Sequence, residues 1–172
     1  MIAIVVATDK QRVIGNENKI PWRIRSDLVR LSNLTRGHCV VLGRVSYESM
    51  VWYYDKSGRD MPGGTYIVVT RDRSYKPARK NAATAHSVPE ALTVAQKMGN
   101  DVYVIGGSSI FEEALPFVDR IYLTEVQTEV AGDSYFPPLI KSEWHETSHE
   151  HFQKDDRDEY DTDFIVLERV RS

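Results

Sequence analysis

Short apolar runs rich in Val and Ile punctuate the chain: IAIVVA at 2–7, CVVLG at 39–43, TYIVVT at 65–70, VYVIG at 102–106, RIYLTEV at 120–126 and FIVLERV at 164–170. Continuous runs of this length fit strands buried on both faces. Between them, apolar positions recur with helical spacing near residues 26–35, 45–50, 88–98 and 109–114. Strands alternating with helices predict an α/β fold, a central, mostly parallel, twisted sheet flanked by helices. Near the end the pattern changes. WHETSHEHFQ and YDTDFIVLERV flank an acidic stretch, Lys154 to Asp163, that has no helical period. This predicts a closing antiparallel hairpin with a solvated tip. No repeat, low-complexity segment or linker divides the 172 residues, so a single domain over 1–172 is expected.

One polar position breaks the pattern. In NKIPWRIRSDLVRL (18–31), Ser26 is a candidate N-cap and Asp27 falls in the first helical turn. At 3.6 residues per turn, Asp27 shares a face with the apolar Leu31 and Leu34. An acid there favourably meets the helix dipole, which needs no further role. A carboxylate on an apolar wall also has a raised pKa and can handle protons near neutral pH. Pro21 stiffens the approach, and Trp22 supplies a large wall with one N–H donor. With no His, Cys or second acid close by, one such carboxylate suits proton delivery to a bound ring better than hydrolysis.

Two strand ends carry glycine turns. CVVLGRVSYESM reads as strand, Gly43 turn and helix start, with Arg44, Ser46 and Ser49 following. VYVIGGSSIFEEAL repeats the logic with Gly106-Gly107, and Ser109 with Glu112 has the spacing of a capping box. Helix starts present free N–H groups to anions, and glycine permits close approach of a ligand. Each turn alone is also a plain connection, and neither is the G-x-G-x-x-G fingerprint. Two together at strand ends favour a dinucleotide. Thr70 and Arg71 add a third strand end. Arg44 and Arg71 could grip an extra phosphate, although Arg71 also reads as a solvated surface residue.

Composition narrows the rest. Apolar residues make up 41% and charged residues 27%, with a net charge of −3, so nothing argues for a nucleic-acid or membrane partner. A single cysteine, Cys39, fits a reducing cytoplasm. The N-terminal MIAIVVATDKQR lacks a basic n-region and reads as a strand, not a signal peptide. HETSH, 145–149, matches a zinc pattern that needs a helix. This segment reads as a strand, so no metal is expected.

RVIGNENKIPW, IPW with SDL, VLGRVSYES, VIGGSSIFEEAL, and the pair IYLTEV and GDSYFP occur in order. Together they resemble the dihydrofolate reductase family across nearly the full length. The resemblance implies that family's fold and hydride transfer from NADPH to C6 of dihydrofolate, with a proton to N5. It implies Asp27, Trp22 and Thr124 as catalytic residues, Asp27 binding the pterin and Thr124 supporting it. Ala7, Ile14, Gly43, Arg44, Ser46, Thr70, Arg71, Gly106, Gly107, Ser108 and Phe111 would hold the cofactor. Val5, Ile20, Leu28, Leu31, Met50 and Ile105 would line the folate pocket, with Ile20 on a moving loop. A cytoplasmic monomer with a small-molecule substrate is expected.

Three departures stand out. Val51 to Ser57 add about seven residues relative to the family's usual pattern. Gly64 stands where the family usually has an arginine that clamps the glutamate tail of folate, and Leu31 stands where many members have phenylalanine. Lys56, Arg59 and Arg30 are candidate substitutes for the clamp. Two rival readings are a riboflavin-pathway reductase of the same fold and a folate- or NADPH-binding protein without catalysis. Ile-Pro-Trp with Asp27 argues against the first, and the intact Asp27 against the second.

Overall fold

The structure, a computed structural model, describes residues 1–99 and 101–171. An eight-stranded sheet is built from β1 (Ile2–Thr8), β3 (Cys39–Gly43), β4 (Thr65–Val69), β5 (Ala82–Ala85), β6 (Val102–Val104), β7 (Arg120–Val126), β9 (Trp144–Phe152) and β10 (Thr162–Arg169). The order is β5-β4-β3-β6-β1-β7-β10-β9. The first six of these run parallel, while β10 is antiparallel to both β7 and β9. The expected α/β sheet with a closing antiparallel hairpin is therefore present. A separate ribbon pairs β2 (Val13–Gly15) with β8 (Ser134–Tyr135). β2, β5 and β8 are too short or too polar to have been read as apolar runs.

Burial explains the strands. In β3, Cys39 to Leu42 are all buried, because the strand is covered on both faces. The largest core cluster joins Ile4, Val41, Ile67, Val104 and Ile121 to α3 (Val88–Lys97) and α4 (Ser108–Ala114). In α3 the buried Val88, Ala91, Leu92 and Ala95 form one helical stripe, and Ser87 caps the start by accepting the Glu90 N–H. On the other face, Val40, Leu42, Tyr47, Tyr66 and Val68 form a second cluster under α2 (Arg44–Ser57).

Four local readings need correction. Helix α1 (Arg25–Thr35) starts one residue before Ser26, and Ile24 holds the N-cap position without a side-chain bond. Ser26 instead donates from Oγ to Asp158 Oδ2 (2.7 Å), and its N–H donates to Asp158 Oδ1 (3.0 Å). The cap is thus supplied from 132 residues away. The acidic stretch 154–163 is solvated as expected from Lys154 to Arg157, but not throughout, since Asp158 is buried and Ile24 bridges to it. Helix α4 starts at Ser108 with Gly107 at the cap position, so Ser109 and Glu112 make no capping box. Finally, Val51 to Ser57 continue α2 by about two turns. The helix ends at Gly58, whose left-handed φ of 69° lets its N–H reach Tyr54 O.

Candidate active site

Six parallel strands place their carboxyl ends along one edge of the sheet, and most of the predicted residues gather there. Asp27 lies in the first turn of α1, and Thr124 on β7 donates from Oγ1 to Asp27 Oδ1 at 2.8 Å. Arg30, one turn along, donates from Nη1 to Thr124 Oγ1 at 3.1 Å and stands 3.9 Å from Asp27 Oδ1. The Asp27 side chain is 22% exposed. Burial raises its carboxyl above the usual carboxylate range. The Thr124 hydrogen bond and the Arg30 charge oppose that rise, and Asp158 adds to it. Thr124 pairs with Ala7 across β1–β7 and with Phe164 across β7–β10. In β1 the half-buried Val5 and Ala7 alternate with fully buried neighbours. Trp22 is buried against Ile24 and Val126, with Ala7 beside them.

Between β2 and Pro21 the chain folds back on itself, Asn16 and Lys19 exchanging two backbone hydrogen bonds of 2.9 Å. The Glu17 N–H donates to Asp133 (3.0 Å), and Ile20 at the end of this loop is 65% exposed. The base of the loop is held by buried Asp9, which accepts the N–H groups of Gln11, Val13 and Val130. Gly132 is required here, because a Cβ at that position would collide with the Val13 side chain.

The two glycine turns meet directly: the Gly43 N–H donates to Gly106 O at 2.8 Å. The Gly106–Gly107 peptide bond is cis. Neither α2 nor α4 has a side-chain cap at its start, which leaves first-turn N–H groups available. A Cβ at Gly107 would stand 3.5 Å from Ser46 Oγ, and one at Gly43 would crowd Ile110 at 3.2 Å. Phe111 is buried and packs edge-on against Phe136, while Ser108 Oγ donates to Tyr135 O (2.6 Å). Thr70 follows β4 directly, with its N–H bonded to Ala85 O. Arg71 is exposed and forms no ion pair among the described residues. Arg44 is already engaged. Its Nε donates to Glu48 (3.0 Å), Nη1 stands 3.7 Å from Asp72, and the guanidinium lies over Tyr75. Ile14 packs on the main core, and Met50 and Ile105 on the second cluster.

On its other face α1 walls a groove of about 270 Å³, lined by Arg25, Leu28, Val29, Arg36, Tyr54, Arg59 and Pro62, among others. Arg25, Arg36 and Arg59 form no ion pair with a carboxylate among the described residues. Lys56 lies instead over the Trp52 ring, and Arg30 is committed to Thr124. HETSH is part of β9, as its polar pattern predicts, and His149 bonds Glu146 and Asp163.

A family profile described as dihydrofolate reductase matches residues 1–169. The chain belongs to the dihydrofolate reductase family. A dihydrofolate reductase of Staphylococcus haemolyticus is 37% identical over 170 residues, covering 99% of this chain and 96% of the relative. One from Bacillus subtilis (strain 168) is 31% identical over 174 residues, covering 100% and 96%. The solved dihydrofolate reductase of Enterococcus faecalis, complexed with NADP(H) and RAB-propyl, superposes with a TM-score of 0.87 at 32% identity. That match covers 99% of this chain and 97% of the other.

Within the dihydrofolate reductase frame, three residues of consequence escaped the sequence reading. Arg30 was counted as a tail cation, yet its position three residues from Asp27 already placed the two on neighbouring turns. Asp9 and Asp158 act through long-range backbone contacts that carry no local signal. Among the described residues no helix is long and apolar enough to cross a membrane.

Proposed function

We propose that this member of the dihydrofolate reductase family reduces 7,8-dihydrofolate to 5,6,7,8-tetrahydrofolate with NADPH, supporting one-carbon metabolism. The hydride goes to C6 and the proton to N5. The observation that carries this reading is the Asp27–Thr124 pair at the same sheet edge where the Gly43 and Gly106–Gly107 turns meet. A carboxyl whose proton affinity is raised by burial can bind an amino-pyrimidine edge and sustain protonation near neutral pH.

The residues present fit the cofactor. A Cβ at Gly43 would crowd Ile110, and Gly106 has a φ of 129° that side chains rarely adopt, so the turns stay bare where a pyrophosphate would approach, and uncapped first-turn N–H groups of α2 suit an anion. When bound, NADPH supplies the hydride. Ala7 and Ile14 would border its reactive ring, while Thr70 and Arg71 would meet its ribose phosphate. Phe111 supports Gly106 from beneath: a Cβ at Gly106 would stand 3.4 Å from the Phe111 ring. Asp27 orients the pterin, Thr124 holds the carboxylate, and Val5, Leu28, Leu31, Met50 and Ile105 exclude water. Trp22 stiffens the wall beside Ile20. This reading takes the enzyme as a cytoplasmic monomer of one domain.

The test is NADPH oxidation with and without dihydrofolate, in the protein and in Asp27→Asn. The substitution keeps the shape and removes the charge. A loss of roughly 100-fold or more at neutral pH is expected, with residual activity rising as pH falls. A variant of near-normal rate and pH profile would overturn the assignment of Asp27.

A further inference from the structure

Arg30 is an expensive residue to place where it is. Its side chain is 18% exposed, and burial is the largest influence on its guanidinium, acting against the charged form. The fold nevertheless builds a seat for it. The guanidinium lies 4.0 Å from the centre of the Phe164 ring on β10 and 5.2 Å from that of Phe152 on β9. A planar cation gains from such aromatic faces, which arginine exploits better than lysine. The seat aims Nη1 at Thr124 Oγ1. This contact decides a direction. A threonine hydroxyl has one hydrogen, and an arginine can only donate. With Arg30 donating to one Thr124 lone pair, the Thr124 hydrogen is turned away from Arg30, and Asp27 Oδ1 at 2.8 Å is the acceptor that takes it.

We propose that Arg30 is a positioning residue of the active site: it fixes the Thr124 hydroxyl as a donor to Asp27 and holds a positive charge beside that carboxylate. The proposal rests on the reading of Asp27 as the proton-handling group. The charged groups around the pair come from each packed element. Asp27 and Arg30 lie on α1, Glu150 on β9 and Asp158 on the hairpin tip between β9 and β10, while Thr124 on β7 is the neutral link. Glu150 and Asp158 both favour the charged arginine, while Asp158 works against ionisation of Asp27. Among the described residues Arg30 is therefore the cation set against Asp158 at the Asp27 carboxylate, and without it that carboxylate keeps its proton to higher pH.

The experiment measures single-turnover hydride transfer against pH in the wild type, Arg30→Met, Arg30→Lys and Arg30→Gln. The same protein samples give the Asp27 carboxyl titration by NMR, which needs no turnover. In Arg30→Met and Arg30→Gln the inflection and the NMR titration should both move roughly half to one pH unit toward alkaline. Arg30→Lys should restore part of the shift, because it returns the charge without the forked donor. In an Asp27→Asn background the Arg30 substitutions should move no inflection. Two variants guard against a fold defect in either, and a titration needs only folded protein. An unshifted Asp27 titration in folded Arg30→Met or Arg30→Gln overturns the proposal and leaves the proposed function standing. An inflection that survives Asp27→Asn instead removes the function reading on which it rests.

Discussion

At the scale of single residues, the role proposed for Asp27 works against stability. Its folded-state pKa lies above the ordinary 3.8, chiefly through burial. A group raised in this way stabilises the fold fully below its unfolded pKa, and the contribution is lost as pH rises through the folded value. At neutral pH the ionised carboxylate is therefore a strain on the fold, worth about 1.4 kcal/mol for each unit of the rise. Asp27→Asn removes the ionisation and keeps an oxygen for the Thr124 hydrogen. Urea melts should show the variant gaining on the wild type as pH is raised from about 4.5 to 8, while catalysis falls. A stability difference that is flat across that range would contradict the burial argument. The acid itself was legible in the sequence because its polar side chain interrupts an apolar helix face. Its partners were not. Thr124 lies 97 residues away, and the role of Arg30 depends on aromatic rings from two other strands.

At the scale of elements, α1 has two working faces. Only Thr35 among its residues is buried, so the helix is not a core element but walls a groove. One face carries Asp27 and Arg30 toward β7. The other carries Arg25, Leu28, Val29 and Arg36 into the groove that Arg59 and Pro62 close. The groove places three cations and one acid, Asp60, around an apolar floor, which suits an aromatic stem ending in carboxylates. The usual clamp cannot simply be restored at Gly64. A Cβ there would stand 3.0 Å from the Gly37 carbonyl carbon and 3.1 Å from His38 O, so backbone must move first. The expectation follows that Arg36→Ala combined with Arg59→Ala narrows the preference for dihydrofolate over dihydropteroate, which lacks the glutamate. Loss of two charged contacts at a partly open site amounts to about 1–3 kcal/mol, some 5- to 150-fold. KM values for both substrates check this, and an unchanged ratio would exclude these arginines from tail binding. Helix positions were readable from spacing, but the N-terminal cap of α1 was not, because Asp158 comes from the opposite end of the chain.

At the scale of the whole molecule, the parallel sheet turns separate strand ends into one ligand crevice. Apolar runs made those strands visible in the sequence, whereas the meeting of Gly43 with Gly106 required the order β4-β3-β6-β1, which no local pattern encodes. A ligand bound across such an edge stabilises the fold as a whole, by RT ln(1 + [L]/Kd), about 2.7 kcal/mol at 100 times Kd. The size of that gain can report which cofactor the edge is built for. NADPH and NADH differ by a single ribose phosphate, and the cations near the end of β4 are Arg71 and Arg44. Arg44 already shares its charge with Glu48 and Asp72, so a phosphate must compete for it, whereas Arg71 stands exposed and uncommitted. A charge-assisted bond to the phosphate is worth about 1.5–3 kcal/mol, or roughly 10- to 150-fold in affinity. Thermal melts at equal cofactor concentration should therefore shift further with NADPH than with NADH. Arg71→Ala should remove most of the difference, and Arg44→Ala should lower it too, because that loss leaves Glu48 and Asp72 unneutralised near the phosphate. Equal shifts with the two cofactors in the wild type would mean that neither arginine reads the phosphate.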